Sequence, residues 1–242
     1  MLLTLMVSSA LALDHGALQQ ALTAHVSSRG SVDYAGLKAS GALDGYLEQL
    51  ATAPEPAGRD EKMAFWINAY NALTLDLIAD NYPLSSIRDL DGGDPWGTRR
   101  FPVAGREVTL NDIEHSILRP MGDARIHAAV NCASRGCPPL ASTAFTGSGL
   151  DRQLDDVARR WIRTNGVTID SSAGTVGLSK IFEWYGDDFL GAYGGTDIPG
   201  VDGKQEAALN FAARYLPDQA TWIQQGGYTV TFSDYSWALN KQ

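Results

Sequence analysis

The chain has 242 residues, 44% of them hydrophobic and 19% charged. That is a globular composition, which excludes a disordered or collagen-like chain, and the length allows a large core without covalent staples. The formal net charge is −9, from 19 Lys and Arg against 28 Asp and Glu, which argues against a nucleic-acid partner and against an anionic membrane surface.

Leu2 to Leu13 is short and apolar and contains Ala10-Leu11-Ala12, a small-x-small pattern. It reads as the later part of a secretory signal peptide lacking its basic start, with residues 1–12 removed and 13–242 as one mature domain. The expected location is the periplasm or the medium, an oxidising space. No apolar run in the mature chain is long enough to cross a bilayer.

Helical spacing covers Ala17 to Val26, and Leu43, Tyr46, Leu47 and Leu50 mark a second helix. Asp60 is the expected N-cap of a long helix from Glu61 to about Asp80, with Pro83 just beyond its end. Asp91 to Gly97 reads as a surface loop. Phe101 to Val108 reads as a hairpin around Ala104-Gly105, and Leu110 to Leu118 as a short helix closed by Pro120. Ile126 to Val130 reads as a buried strand, followed by a turn from Asn131 to Leu140. Leu150 to Ile162 is helical by spacing. Val167 to Ile169 and Thr175 to Leu178 form a hairpin, and Ile181 to Leu190 is a short aromatic element. A helix from Glu206 is closed by Pro217, and Tyr228 to Phe232 is a last strand before a tail containing Tyr235-Ser236-Trp237. The expected fold is one α+β domain, several helices around a small, mainly antiparallel sheet.

Four groups of residues carry chemistry. Asn68 and Asn71 share one face of a helix that is apolar almost all round, so their amides must bond to loop backbone, another side chain or a ligand. Glu114 falls in the apolar stripe of its helix with His115 on the flank, and a buried acid beside a histidine either holds a structural partner or orients a base. His127, on a strand, alternates away from Cys132 and meets it only if the chain turns at Asn131, which leaves His115 an equal candidate for base. Cys132 and Cys137 flank Arg135, whose charge favours thiolate, and Gly136 permits a tight turn. The same two sulfurs can instead form a disulfide. Their spacing is not that of a zinc knuckle, so neither a metal nor another cofactor is expected.

Together these segments resemble the domain of unknown function 547 family. The matching pieces are Phe65 to Asn71, Ile113-Glu114-His115 with Leu118-Arg119, Arg125-Ile126-His127, Asn131-Cys132 and Cys137-Pro138. Leu178 to Phe182, Trp184-Tyr185, Asp188-Phe189 and Tyr235 to Asn240 are similar to the family's later signatures. The family brings no established activity, and this chain resembles its stand-alone exported form. Plant relatives resemble the motif at Cys132 but have serine in place of Cys137. That resemblance implies that Cys132 is the chemically interesting sulfur and that a bridge is dispensable to the fold.

Two classes of function follow. One is a cysteine hydrolase or acyl-transfer enzyme acting on a small-molecule or peptide-like substrate. Cys132 is its nucleophile, His127 or His115 its base, and Glu114 or Asn68 orients that base, with Asn71, Asn131, Arg135 and Cys137 in support. Papain-like and transglutaminase-like sites use these residue types, although their cysteine usually opens a helix. The other is a non-catalytic exported binding module with a Cys132–Cys137 bridge and a binding surface around Asp94-Pro95-Trp96. A thiol-redox or metal site on the same sulfurs is a third reading.

Overall fold

The computed structural model describes residues 13–242, so the segment read as a signal peptide lies outside the described residues up to Ala12. The chain opens with α1 (Gly16–His25), α2 (Tyr34–Ser40) and α3 (Asp44–Thr52), then the long α4 (Arg59–Asn81). A one-turn α5 (Pro95–Thr98) leads into the hairpin β1 (Phe101–Val103) and β2 (Arg106–Val108). A wide π-type helical stretch, Asp112–Leu118, precedes the short α6 (Ile126–Ala129). Beyond the cysteine turn come α7 (Leu150–Trp161), β3 (Val167–Asp170), β4 (Thr175–Leu178), α8 (Lys180–Trp184) and α9 (Gly186–Tyr193). Finally α10 (Gly203–Tyr215), α11 (Pro217–Gln225) and β5 (Thr229–Phe232) lead to the tail. This is an α+β fold.

The α4 helix is the axis of the core. Every residue from Met63 to Leu75 on it is buried, as its nearly unbroken apolar sequence requires. It starts at Arg59, so Asp60 is not the cap. Asp60 and Glu61 lie in its first turn, where carboxylates favour the positive end of the helix dipole. A second packed region is aromatic. Trp161 stacks on Phe182 at 4.7 Å between ring centres, Phe182 meets Phe189 at 4.9 Å, and Phe189 meets Phe211 edge-on at 5.1 Å. All four rings are buried.

Both expected hairpins are present, with Phe101 opposite Val108 and Val167 opposite Leu178. The second sheet departs from expectation, because β5 pairs with β4 in parallel. One of its two ladders is therefore parallel and the sheet is mixed. The stretch read as a buried strand at Ile126 to Val130 is instead α6. A run of five buried residues has no periodicity to separate the two states, and α6 is buried on all sides. Pro217 closes α10 but also occupies the first turn of α11, which the sequence reading omitted; proline's missing N–H costs nothing there.

The tail crosses the front of the domain. Val32 N–H donates to the Asn240 carbonyl at 2.9 Å, and Tyr34 Oη donates to Asn240 Oδ1 at 2.7 Å. The same tail pairs with the cysteine turn, since Arg135 and Gly136 N–H donate to the Ala238 and Ser236 carbonyls.

Candidate active site

Asn68 and Asn71 act as braces. Asn68 Nδ2 donates to the Phe145 carbonyl and its Oδ1 accepts from Phe145 N–H, both at 2.8 Å. Asn71 Nδ2 donates to the Ala129 carbonyl and its Oδ1 accepts from Asn131 N–H, both at 2.9 Å. Each amide thus satisfies two backbone groups of a loop that must sit against α4. The structural reading of this pair accounts for both side chains, and neither touches a histidine.

Asn131 continues the brace. Its Nδ2 donates to the Pro138 carbonyl at 2.8 Å, and its Oδ1 accepts from Ala133 N–H at 2.8 Å. The turn from Cys132 to Cys137 is therefore held from inside by one amide, with Ala133 at a φ of 58°. Cys132 and Cys137 are joined in a disulfide, with their Cα atoms 6.5 Å apart. Gly136 has a different reason from the tight turn expected of it. A Cβ there would come within 2.7 Å of the Tyr235 ring, so the glycine lets that ring lie flat on the turn.

The disulfide forms part of the wall of a cleft of about 290 Å³. Tyr70, Glu114, His127 and Tyr185 also line it, and Trp96, Trp184, Tyr235 and Trp237 form an aromatic ledge. Ring centres along the ledge are 4.6 Å apart for Tyr235 and Trp237, 4.8 Å for Trp184 and Tyr235, and 5.7 Å for Trp96 and Trp237. Trp184 is 46% exposed, the largest exposure of a big apolar side chain among the described residues. Asp94 and Asn111 complete the polar lining, and neither Lys nor Arg belongs to it.

The two sulfurs are not equivalent. Cys132 is partly exposed and Cys137 is buried. Cys132 N–H donates to Cys137 Sγ at 3.2 Å, and Tyr235 Oη lies 3.1 Å from each sulfur. The same hydroxyl is 2.7 Å from Ser134 Oγ. Burial raises the Tyr235 phenol far above its ordinary range, so it stays protonated and able to donate.

His127 is held on several sides. Arg125, two residues before it, bonds Asp123, Asp151 and Asp155 and so fixes the start of α6. The imidazole stacks on Tyr185 at 4.2 Å, and its Nε2 bonds Asp188 Oδ2 at 2.8 Å. Asp188 also receives both arms of the Arg119 guanidinium, at 2.6 and 2.9 Å. Burial alone would raise the Asp188 carboxyl, but the hydrogen bonds and charges of His127 and Arg119 outweigh it and hold the group well below the usual carboxylate range. Nε2 is thus engaged by the Asp188 carboxylate, and among the described residues no hydrogen bond occupies Nδ1.

Glu114 is buried, as its place in the apolar stripe requires, and the wide turns of Asp112–Leu118 carry it to the cleft. It faces the hydroxyls of Tyr70 and Tyr185. Burial first, and then the Glu114 charge, push both phenols above their ordinary value. His115 is exposed and outside the cleft. Its Nδ1 lies 3.2 Å from Arg119 Nη1, which joins it to Asp188 only at second hand. Arg135 is exposed on the far side of the turn.

Of the residues singled out from sequence, the fold thus gathers Cys132, Cys137, His127 and Glu114 in one cleft. It keeps Asn68, Asn71 and Asn131 as braces and leaves His115 and Arg135 outside. Asp94 and Trp96 come from the stretch expected as a binding surface, whereas sequence reasoning missed Asp188, Tyr235, Tyr185, Trp184 and Trp237 as site residues. Their only signal was membership of the late motifs, since no spacing rule links residue 188 or 235 to residue 132. Among the described residues no three of His, Cys, Asp and Glu converge as metal ligands would.

The fold and site define a class: an α+β domain whose aromatic, carboxylate-bearing cleft opens onto a disulfide. Residues 54–162 match the sequence model of the family described as "Protein of unknown function, DUF547", and the resemblance seen in the motifs is shown over that stretch. It holds α4, Glu114, His127 and both cysteines, while Asp188 and the Tyr235 tail lie beyond it. No curated protein and no solved structure matches the chain.

Proposed function

We propose that the cleft is the active site of a cysteine-dependent hydrolase or acyl-transfer enzyme, and that the Cys132–Cys137 disulfide is its oxidised resting form. The observation that carries this reading is the Asp188-anchored His127 in the same cleft as the partly exposed Cys132 sulfur. A dithiol reductant supplies two electrons and two protons and opens the disulfide to two thiols. His127 Nδ1 then takes the Cys132 thiol proton, and the thiolate attacks a substrate carbonyl carbon. Tyr235 Oη, already within hydrogen-bond reach of Cys132 Sγ, donates to the developing oxyanion. The leaving group departs with the proton from His127, and water or an amine then takes the acyl group from Cys132. A disulfide fits an oxidising compartment, which supports placement in the periplasm or outside the cell.

Thiol–disulfide exchange is a second reading, favoured by the two donors on Cys137 Sγ. An incoming thiolate attacks Cys132 Sγ, the S–S bond breaks, and its electron pair goes to Cys137 as a thiolate held by Cys132 N–H and Tyr235 Oη. A second substrate thiol then releases the mixed disulfide.

The test combines alkylation and turnover. After reduction, Cys132 should react with iodoacetamide at neutral pH about tenfold faster than an ordinary thiol, and His127→Gln should remove that advantage. Activated ester and thioester substrates should show a burst that Cys132→Ser abolishes. Ester turnover surviving Cys132→Ser, or a Cys132 no faster than free cysteine, overturns the hydrolase reading. Rapid oxidation of a dithiol without ester turnover selects the exchange reading.

A further inference from the structure

A second pocket, of about 440 Å³, lies behind the cysteine turn. It shares Cys137 and Pro138 with the aromatic cleft, but its character is opposite. Arg29, Arg135 and Arg160 line it, with Ser28 and Ser31, and neither Asp nor Glu belongs to the lining. In a chain of net charge −9, three guanidiniums without a carboxylate in one pocket call for an explanation. Among the described residues none of the three makes an ion pair. The one hydrogen bond from their side chains is Arg160 Nη2 to the Leu140 carbonyl at 2.7 Å.

Three carbonyls around this pocket are already occupied. Asn165 Nδ2 donates to the Cys137 carbonyl at 2.9 Å, Asn131 Nδ2 to the Pro138 carbonyl at 2.8 Å, and Arg160 to Leu140. The charged groups that line the open space are all cationic. Arg160 is half-buried, and burial presses its pKa down from the ordinary value with no anion to offset it. Gly30 makes this placement feasible. It has a φ of +80°, and a Cβ there would fall 2.6 Å from Arg160 Nη2 and 2.6 Å from Leu140 N.

We infer that this pocket binds a phosphate or sulfate group, with Arg160 at its base and Arg29 and Arg135 at its rim. The guanidinium fork matches oxyanion geometry, and bonds between two charged partners are the strong class of hydrogen bond. A tetrahedral oxyanion supplies the counter-charge that the fold withholds from Arg160. Such a group arrives either as the free anion or as the terminus of a phosphate or sulfate ester. The inference is independent of any chemistry at Cys132.

The test is calorimetric titration of the full mature chain at constant ionic strength, with inorganic phosphate, sulfate and phenyl phosphate as probes and chloride as the balancing salt. Saturable binding of one anion per chain is expected. Arg135→Ala, at an exposed position with no side-chain partner, should weaken it about tenfold, and Arg160→Met should weaken it further. Equal affinity for phosphate and phenyl phosphate identifies the free anion, and tighter binding of phenyl phosphate identifies an ester. No saturable binding beyond chloride, or binding unchanged in a folded Arg135→Ala and in Arg160→Met, overturns the site. Because Arg135→Ala leaves the packed interior untouched, its outcome is readable even if Arg160→Met unfolds.

Discussion

Two clusters of aromatic rings in this molecule are spaced alike and exposed differently. Trp161, Phe182, Phe189 and Phe211 lie 4.7 to 6.1 Å apart and are sealed from solvent. Trp96, Trp184, Tyr235 and Trp237 lie at similar distances, yet they line an open cleft, and Trp184 stands 46% exposed. Ring-to-ring geometry therefore does not distinguish a core from an open face. The difference lies in what covers the outer side of the rings. Helices α7 to α10 close over the first cluster, whereas the second has a carboxylate, a histidine and a disulfide beneath it and solvent above. Four adjoining rings along an open cleft form a contiguous apolar patch, the kind of surface that ligand-binding grooves present. Helix α9 sits at the boundary, since Phe189 packs into the sealed cluster while its neighbour Asp188 holds His127.

The comparison can be broken most strongly at Phe211. Phe211→Ala removes a ring that touches Trp161, Phe182, Phe189, Tyr193 and Tyr215, and should cost about 3–5 kcal/mol in urea unfolding. A loss below about 1 kcal/mol would mean that the cluster collapses to fill the gap.

Asp188→Asn tests the boundary, and should cost on the order of 1–2 kcal/mol at neutral pH because it leaves Arg119 without its anion. The sign of the pH dependence follows from the depressed carboxyl. Asp188's contribution is complete above the unfolded Asp range, near about pH 4, and drains away as pH falls toward the folded value. The gap between parent and variant should therefore narrow on acidification below about pH 4. A gap that is constant with pH would show that the carboxylate charge is not what stabilises.

The smallest effect on stability is expected at Trp184. Trp184→Ala should change unfolding free energy by about 1 kcal/mol or less, while markedly reducing ester turnover by the reduced protein. Stability lost in full and turnover kept would place the ledge with the core.

The parts of the fold legible in sequence were those with a long or repeated period. The α4 helix, α7 and both hairpins stand close to where spacing put them. The misreading of α6 came from its length, since four helical residues buried on every side leave the same trace as a strand. It mattered for the site because strand alternation turned His127 away from Cys132, whereas the helix and turn bring both into one cleft. Glu114 was legible because a carboxylate in an apolar stripe violates a local rule. Asp188 and Tyr235 violate none. Asp188 sits in the first turn of α9, an ordinary place for an acid, and Tyr235 lies in a tail without periodicity. Their roles come from contacts 61 and 103 residues apart in the chain, which no local pattern encodes.

The strap formed by the tail also sets an order of events. Tyr34 and Asn240 meet across 206 residues, and Tyr235 reaches the sulfurs only when that strap is in place. Closing so long a loop carries a large entropy cost and is slow relative to local helix and hairpin formation. During synthesis the cysteine turn leaves the ribosome about a hundred residues before the tyrosine that will cover it. Until then its sulfurs lack that hydroxyl, so the cleft cannot be completed before the C-terminal tail is made.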